Sequence, residues 1–319
     1  MKKTKAVQWT KKDLIDLDVL SKEEIETVLE TAKSFKEVST RDVKKVPALR
    51  GKTVVSLFFE PSTRTRASFE LAAKRLSADT INIAAGGSSL SKGESILDTA
   101  KNIEAMNIDA IIVRHSSSGV PDILAKDLKS SVINAEDGCR AHPTQALLDM
   151  FTIQEKFKEL KGLNVAIVGD ILHSRVARSN MIGLRKLGAN VTVCGPATLM
   201  PPGIEQYDVN VTHNLSTAIK DAHVVMLLRL QKERQKEQFI PSIKEYAGYF
   251  GFNQKRLLEA RKDVVVMHPG PTNRGIELSA EVADGERSVI LDQVTNGVAV
   301  RMAILYLLLG AKAKGEAKE

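Results

Sequence analysis

Short apolar runs recur along the chain, each separated from the next by enough residues for a helix. In the first half they fall at 53–59, 80–83, 110–113 and 132–133. The second half restarts the pattern at 165–168, 191–194, 224–228, 264–267 and 289–291. Apolar residues in continuous short runs suit strands buried on both faces. Alternated with helices, such strands predict parallel sheets covered on both sides. The pattern therefore predicts an α/β protein with two doubly wound domains, each a mostly parallel sheet flanked by helices.

The helical signals are local. Ser21-Lys22-Glu23-Glu24 has the form of a capping box, and Ile25, Val28, Leu29 and Ala32 follow at helical spacing. A helical stretch through Phe69, Leu71 and Leu76 comes after the run at 53–59. A longer helix is predicted to start near Pro143 and continue through Leu147, Leu148, Phe151 and Ile153. The charged stretch 156–162 follows it, and the chain is divided on this reading into domains 1–149 and 150–292. The last helix, 293–310, is apolar on most sides and is expected to pack back onto the first domain.

Composition narrows the function. At 319 residues the chain has the length of two domains, and 43% hydrophobic with 27% charged residues excludes a disordered or collagen-like chain. Lys and Arg outnumber Asp and Glu by 46 to 39, a formal charge of +7, which suits nucleic acid or an anionic small molecule. One Trp, four Tyr and nine Phe leave little for a base-stacking platform, and the basic excess forms no dense block, the nearest to one being Lys2, Lys3, Lys5, Lys11 and Lys12. A nucleic-acid partner is therefore not expected. Cys139 and Cys194 form no Cys-x-x-Cys pair, so neither a disulfide scaffold nor a metal site is indicated. No apolar stretch of signal-peptide length precedes Lys11, and the greasiest run, 303–309, is too short for a bilayer. The expectation is a soluble cytoplasmic protein with no membrane contact.

Three groups of residues carry candidate chemistry. Ser62-Thr63-Arg64-Thr65-Arg66 stands between a strand and a helix, where free N–H groups and the helix dipole bind phosphate. Read blandly, the same residues are an N-cap with two surface arginines. His142-Pro143-Thr144-Gln145 also opens a helix, with His142 and Gln145 three apart and facing one way. A structural histidine is the alternative there, and Cys139 lacks a base that would make it a nucleophile. Arg114, Arg175 and Arg229 each stand at or beyond the end of an apolar run, where an arginine suits a carboxylate or phosphate, or a domain-edge ion pair.

Together these pieces resemble the catalytic chains of the aspartate carbamoyltransferases. The motifs are Ser-Thr-Arg-Thr-Arg at 62–66, His-Pro-Thr-Gln at 142–145, Gly-Asp-Ile-Leu-His-Ser-Arg at 169–175, Arg-Leu-Gln-Lys-Glu-Arg at 229–234 and His-Pro-Gly-Pro at 268–271. They occur in the family's order across nearly the whole chain. The first two are shared with ornithine carbamoyltransferases. The Arg-x-Gln-x-Glu-Arg block discriminates, and the His-Cys-Leu-Pro motif of the ornithine enzymes is absent.

The resemblance implies roles. Ser62, Thr63, Arg64 and Thr65 would bind the phosphate of carbamoyl phosphate, with Arg114 and His142 at its carbonyl and Gln145 at its amide. The backbone at Gly270 and Pro271 would hold the carbamoyl group. Arg175 and Arg229 would grip the carboxylates of aspartate, with Gln231 beside them, and Arg66 would tie its helix to a neighbouring acid. Domain 1–149 would then bind carbamoyl phosphate and domain 150–292 aspartate. The loop 86–94 would carry Lys92, and Ser88 or Ser89, into the site of an adjacent subunit of a homotrimer. A regulatory chain or a dihydroorotase is the further partner implied. The catalytic set would be His142, Arg114, Thr65, Arg64 and Lys92, with no cofactor and no metal. The reaction implied is carbamoyl transfer to L-aspartate, an early step of de novo pyrimidine biosynthesis. His142 is expected to be neutral, because neighbouring cations disfavour its charged form.

Overall fold

The computed structural model describes residues 9–84, 94–231 and 239–310. The chain divides into two compact units, one of Met1–Phe151 with Thr295–Glu319 and the other of Thr152–Val294.

The first unit is built on a parallel sheet of β1 (Thr53–Phe58), β2 (Asp79–Ala84), β3 (Ala110–His115) and β4 (Ser131–Asp137), in the order β2-β1-β3-β4. Its helices are α1 (Lys22–Ser39), α2 (Thr63–Arg75), α3 (Ile96–Glu104) and α4 (Val120–Asp127), with the greater part of α5 (Pro143–Phe157) and of α11 (Ile290–Leu309). The capping box of α1 forms as its residues predict: the Ser21 hydroxyl accepts from the Glu24 N–H at 3.1 Å, and Glu24 Oε2 accepts from the Ser21 N–H at 2.8 Å. Val55, Leu57, Ile111, Val113 and Val132 of the sheet pack against Ala100, Ile103, Val120 and Leu124 of α3 and α4. Beside β4 the open edge is covered by the N-terminal segment, where Leu14 donates to Val132 and accepts from Asn134. The apolar residues of α11, from Ala299 to Ala303 and on to Leu309, bury most of its circumference, and Tyr306 meets Phe35 edge-on at 5.5 Å.

The second unit carries a parallel sheet in the order β7-β6-β5-β8-β9. Its strands are β5 (Asn164–Val168), β6 (Asn190–Cys194), β7 (Asn210–Thr212), β8 (Val224–Leu227) and β9 (Val265–Met267). Around it run α6 (Arg175–Lys186), α7 (Leu215–Ile219), α8 (Ile243–Phe250), α9 (Gln254–Glu259) and α10 (Ala280–Ala283). Val168, Val225, Leu227 and Val266 share a core with Leu215, Ile219, Phe252 and Leu278.

One expected strand is not formed. Ile290 and Leu291 open α11 instead, after a single bridge between Ser288 and Val266. Three apolar residues are too few for periodicity to separate a strand from a first helical turn. The fifth strand is Asn210–Thr212, which no apolar run marks: it is an edge strand, and its residues are largely exposed.

Each strand order reverses direction once. In the first unit β1 leads outward to β2, and the chain then crosses to β3 on the other side. In the second, β5 leads to β6 and β7 before β8 is placed on its opposite flank. The crevice beyond the carboxyl ends of two strands that diverge in this way is where open α/β sheets bind ligands. The two switch points are β1/β3 and β5/β8.

Candidate functional site

At the first switch point β1 runs through Glu60 and Pro61 into Ser62 and then α2. Ser62 occupies the N-cap position of α2, yet its hydroxyl makes no capping bond, and the first turn holds no acid. Helix starts ordinarily attract both. The first turn is instead Thr63, Arg64, Thr65 and Arg66, so hydroxyls, guanidinium groups and the helix dipole combine at one terminus. Ser62 and Thr65 are half-buried, while Thr63 and Arg64 are exposed. Arg66 is also exposed, and its charge helps to lower the pKa of Glu70. Glu70, one turn on, is held by Lys74 at 2.6 Å and Asn82 at 3.0 Å.

Across the switch point, Arg114 ends β3 between two carboxylates: its Nη1 binds Glu136, and its Nε lies 3.6 Å from Glu60. The pair of acids orients the guanidinium at the strand end. His142 and Gln145 follow β4 at the start of α5, and both are buried. Gln145 Nε2 donates to Asp149 Oδ1 at 2.9 Å, which leaves its carbonyl oxygen to accept elsewhere. The His142 ring lies 3.9 Å from Glu136.

The pKa of His142 is held well below its ordinary 6.5, first by burial and then by the charges of Arg301 and Arg114. Neutrality was expected from neighbouring cations alone; burial is the larger cause, and one of the cations comes from α11. We predict that labelled-histidine NMR will find the His142 ring neutral throughout the range in which an exposed histidine titrates. The sign for stability follows. The native ring resists the proton that the unfolded chain takes up below 6.5, so stability falls as pH drops through that value. A ring that charges at an ordinary pKa contradicts this.

Arg301 itself carries no signal of chemistry in the sequence, apart from being a charge within an otherwise apolar helix. It is buried, donates to Ser68 Oγ at 2.9 Å and to the Gly297 carbonyl at 3.1 Å, and lies over the Phe69 ring at 5.0 Å. Ser68 is on α2, one turn beyond Thr65. Asp149, fully buried on α5, counteracts the burial that pushes Arg301 down to about 10. Gln145, Asp149 and Arg301 therefore connect the start of α5 with α11 and α2 in the first unit.

The second switch point has its own pair of arginines. Gly169 follows β5 with φ 129, and a Cβ there would meet the Leu228 carbonyl at 2.9 Å, so glycine permits the close approach of the β5 and β8 ends. The next residue, Asp170, is fully buried and accepts from the His173 N–H at 3.1 Å, its ring Nδ1 at 2.9 Å and the Gln231 N–H at 3.4 Å. Gln231 Nε2 donates in turn to the His173 carbonyl at 3.2 Å. Asp170 thus fastens the turn that delivers Arg175 to the segment that delivers Arg229 and Gln231. Arg175 is buried at the first position of α6, behind the capping Ser174, and Arg229 is half-buried just past β8. At the end of the adjacent β9, Gly270 takes φ 67, a conformation that suits glycine. Glycine there meets a backbone requirement.

Ser62, Thr63, Arg64, Thr65, Arg114, His142 and Gln145 thus gather at the carboxyl ends of β1, β3 and β4. Arg175, Arg229, Gln231, Gly270 and Pro271 gather at those of β5, β8 and β9. Ser88, Ser89 and Lys92 lie outside the described residues, as do the Lys-Glu-Arg residues at 232–234. Glu60, Glu136, Asp149, Asp170 and Arg301 were not anticipated; of these only Asp170 stands inside a recognisable motif. Among the described residues no group of His, Cys, Asp or Glu is arranged to hold a metal ion, and no helix is long and apolar enough to cross a membrane.

Known proteins resemble this chain in sequence and fold. Residues 12–155 match the family model described as aspartate/ornithine carbamoyltransferase, carbamoyl-P binding domain. Residues 161–308 match aspartate/ornithine carbamoyltransferase, Asp/Orn binding domain. The aspartate carbamoyltransferase catalytic subunit of Syntrophus aciditrophicus is 58% identical over 307 residues, 96% of this chain and 100% of that one. That of Syntrophobacter fumaroxidans is 59% identical over 300 residues, covering 94% and 98%. Among solved structures, the ornithine carbamoyltransferase from Pyrococcus furiosus is similar at TM-score 0.84 and 34% identity, over 95% of this chain and 99% of that one. Aspartate transcarbamoylase from Trypanosoma cruzi, in complex with carbamoyl phosphate and aspartate, is similar at TM-score 0.86 and 27% identity, over 95% and 98%. With family models matching both halves and relatives of this identity spanning nearly its full length, the chain belongs to the aspartate/ornithine carbamoyltransferase family.

Proposed function

We propose that this protein transfers the carbamoyl group of carbamoyl phosphate to the amine of L-aspartate, giving N-carbamoyl-L-aspartate and phosphate in de novo pyrimidine biosynthesis. The observation that carries the reading is that each unit has a cationic switch point of its own. One is a helix N-terminus with hydroxyls, arginines and no acid; at the other a buried aspartate, through His173 and Gln231, fastens together the segments that carry Arg175 and Arg229. A phosphate and a dicarboxylate are the anions such groups suit.

On this reading 1–149 binds carbamoyl phosphate through Ser62, Thr63, Arg64 and Thr65, with Arg114 and His142 at the carbonyl oxygen. The free carbonyl of Gln145 accepts from the carbamoyl amide, and the backbone at Gly270 and Pro271 holds the same group. Domain 150–292 supplies Arg175, Arg229 and Gln231 for aspartate. The aspartate amine attacks the carbamoyl carbon, and charge develops on the carbonyl oxygen, where Thr65, Arg114 and neutral His142 donate hydrogen bonds. Collapse expels phosphate, which takes the amine proton, so no covalent enzyme intermediate is needed. Binding both anions in register supplies the rest of the rate. The protein works in the cytoplasm as a homotrimer in which Lys92 of one subunit serves the site of the next. A regulatory chain or a dihydroorotase is the partner proposed beyond the trimer.

A carbamoylation assay with aspartate, ornithine and N-acetylornithine in parallel tests the substrate. Aspartate alone is expected to be consumed. In the same assay Arg229→Ala should abolish aspartate saturation while carbamoyl phosphate still binds, because a charge-assisted carboxylate contact is lost and the phosphate cradle is untouched. Turnover of ornithine, or unchanged aspartate kinetics in that variant, overturns the assignment.

A further inference from the structure

Glu136 reaches Arg114 through an irregularity in the first sheet. β3 and β4 pair in step as far as Val113 opposite Asn134; the register then shifts, so that Arg114 stands opposite Glu136 and His115 opposite Asp137. Ala135 is passed over, and it is fully buried. Without the shift an alanine would stand beside Arg114. Bulges of this kind re-aim a side chain, often next to a binding site.

The outcome is a guanidinium with more negative charge around it than it carries. Glu136 binds its Nη1, and Glu60 lies 3.6 Å from its Nε. The Arg114 and Glu136 side chains are only 14% and 12% exposed, so water screens them little. One carboxylate is enough to orient a guanidinium; the second leaves the corner net negative. The His142 ring, 3.9 Å from Glu136, does not restore the balance, because burial and the charges of Arg301 and Arg114 hold it neutral. Neither carboxylate contact uses Arg114 Nη2, so the corner still has N–H groups to give.

The neighbouring helix start has the opposite balance. The Phe59 N–H donates to the Arg114 carbonyl at 2.9 Å, and the N-cap Ser62 follows directly after Glu60 and Pro61. The first turn of α2 then brings Arg64 and Arg66 with no acid. The first switch point therefore has a cationic end and, beside it, an end that donates hydrogen bonds without net positive charge.

We propose that Glu136 is a specificity-determining residue: it makes the Arg114 corner accept a neutral carbonyl oxygen and turn away a second anionic group. This rests on the reading of carbamoyl phosphate as substrate and deepens it. Carbamoyl phosphate is charged at its phosphate and uncharged at its carbonyl, which is the pattern of the site. Pyrophosphate has the same phosphoryl end with a second charged phosphoryl in place of the carbamoyl group. Against that group Glu136 stands as a fixed like charge, at a range where repulsion in a partly buried site is large. A neutral oxygen escapes the repulsion and still gains the hydrogen bond from Nη2. The partial charge it takes up during transfer lies against the donating N–H groups, whereas a second phosphoryl group is fully charged on arrival.

The inhibition constants of inorganic phosphate and of pyrophosphate, each competing with carbamoyl phosphate on the full-length protein, test this. Phosphate reads the helix start alone, and pyrophosphate reads the helix start and the corner together. Glu136→Gln keeps an acceptor for Arg114 Nη1 and removes the charge. The ratio of the phosphate constant to the pyrophosphate constant should then rise about tenfold or more. Glu136→Ala should raise it as well, and serves if the glutamine variant does not fold. Glu136→Asp keeps the charge and should leave the ratio within about threefold of wild type. If Glu136 did no more than orient Arg114, Glu136→Gln would leave the ratio alone and Glu136→Ala would weaken carbamoyl phosphate and pyrophosphate alike. A ratio unchanged in the neutral variants, or raised as much by Glu136→Asp, overturns the role of Glu136 and leaves the carbamoyl-transfer reading standing. A wild-type protein that never saturates with carbamoyl phosphate removes that reading, and the role of Glu136 with it.

Discussion

Replacing Arg301 with methionine should destabilise the native protein by about 3–5 kcal/mol, the usual cost of breaking a buried ionic arrangement by removing one member. Methionine fills much of the volume, so the loss is electrostatic. Asp149 is fully buried and loses its cationic neighbour, the Ser68 hydroxyl loses a donor at 2.9 Å, and the Phe69 face loses a cation at 5.0 Å. Burial already presses on the guanidinium, which explains a pKa pushed down to about 10 in spite of Asp149. At neutral pH the group remains charged, and the arrangement holds because its hydrogen bonds compensate in part for the lost water. The urea midpoint, compared at constant m, reads the effect. Exchanging Asp149 for asparagine in the same chain should return a part of the loss, because the two side chains are coupled. A midpoint within experimental error of wild type for Arg301→Met would show that Asp149 does not depend on it.

Activity regained on mixing two inactive proteins is the second large effect expected. Lys92→Ala and His142→Ala should each be nearly inactive, the first for want of the cation delivered to a neighbour, the second for want of an oxyanion donor. Dissociated and reassembled together, they are expected on the proposed homotrimer to give some sites that take His142 from the first variant and Lys92 from the second. With equal random mixing roughly half times half, about a quarter, of the sites are intact. Specific activity near that fraction of wild type is expected, and it should depend on reassembly and not on mere mixing. Mixed trimers as inactive as their parents would mean that Lys92 acts within its own subunit or not at all.

Much of this architecture is written locally. The runs at 53–59, 110–113, 165–168 and 224–228 became β1, β3, β5 and β8, because continuous apolar residues have few alternatives to a strand buried on both faces. The capping box of α1 formed for an equally local reason: its donors and acceptors lie within three residues. The candidate anion-binding residues were also legible, since hydroxyls and arginines at a strand-to-helix junction carry their chemistry with them. Arg114, Arg175 and Arg229 stood out for the related reason that a charge at the end of a buried strand needs an explanation.

Other features belong to the tertiary structure. Strand order is decided by hydrogen bonding between segments tens of residues apart, so nothing local announced the switch points β1/β3 and β5/β8. Asn210–Thr212 became a strand only because β6 offered it an edge, and Ile290 and Leu291 became helical because a longer apolar helix claimed them. Partners of buried charge were the least legible. Glu60 and Glu136 look like ordinary surface acids until Arg114 stands between them, and Arg301 looks like an interruption of an apolar helix until Asp149 and Ser68 face it. The sequence by itself determined which segments would be strands and helices and which residues could bind anions. Only the tertiary structure decided which charges are buried and what compensates them, because a side chain's partner is chosen by packing across the fold and not by its neighbours along the chain.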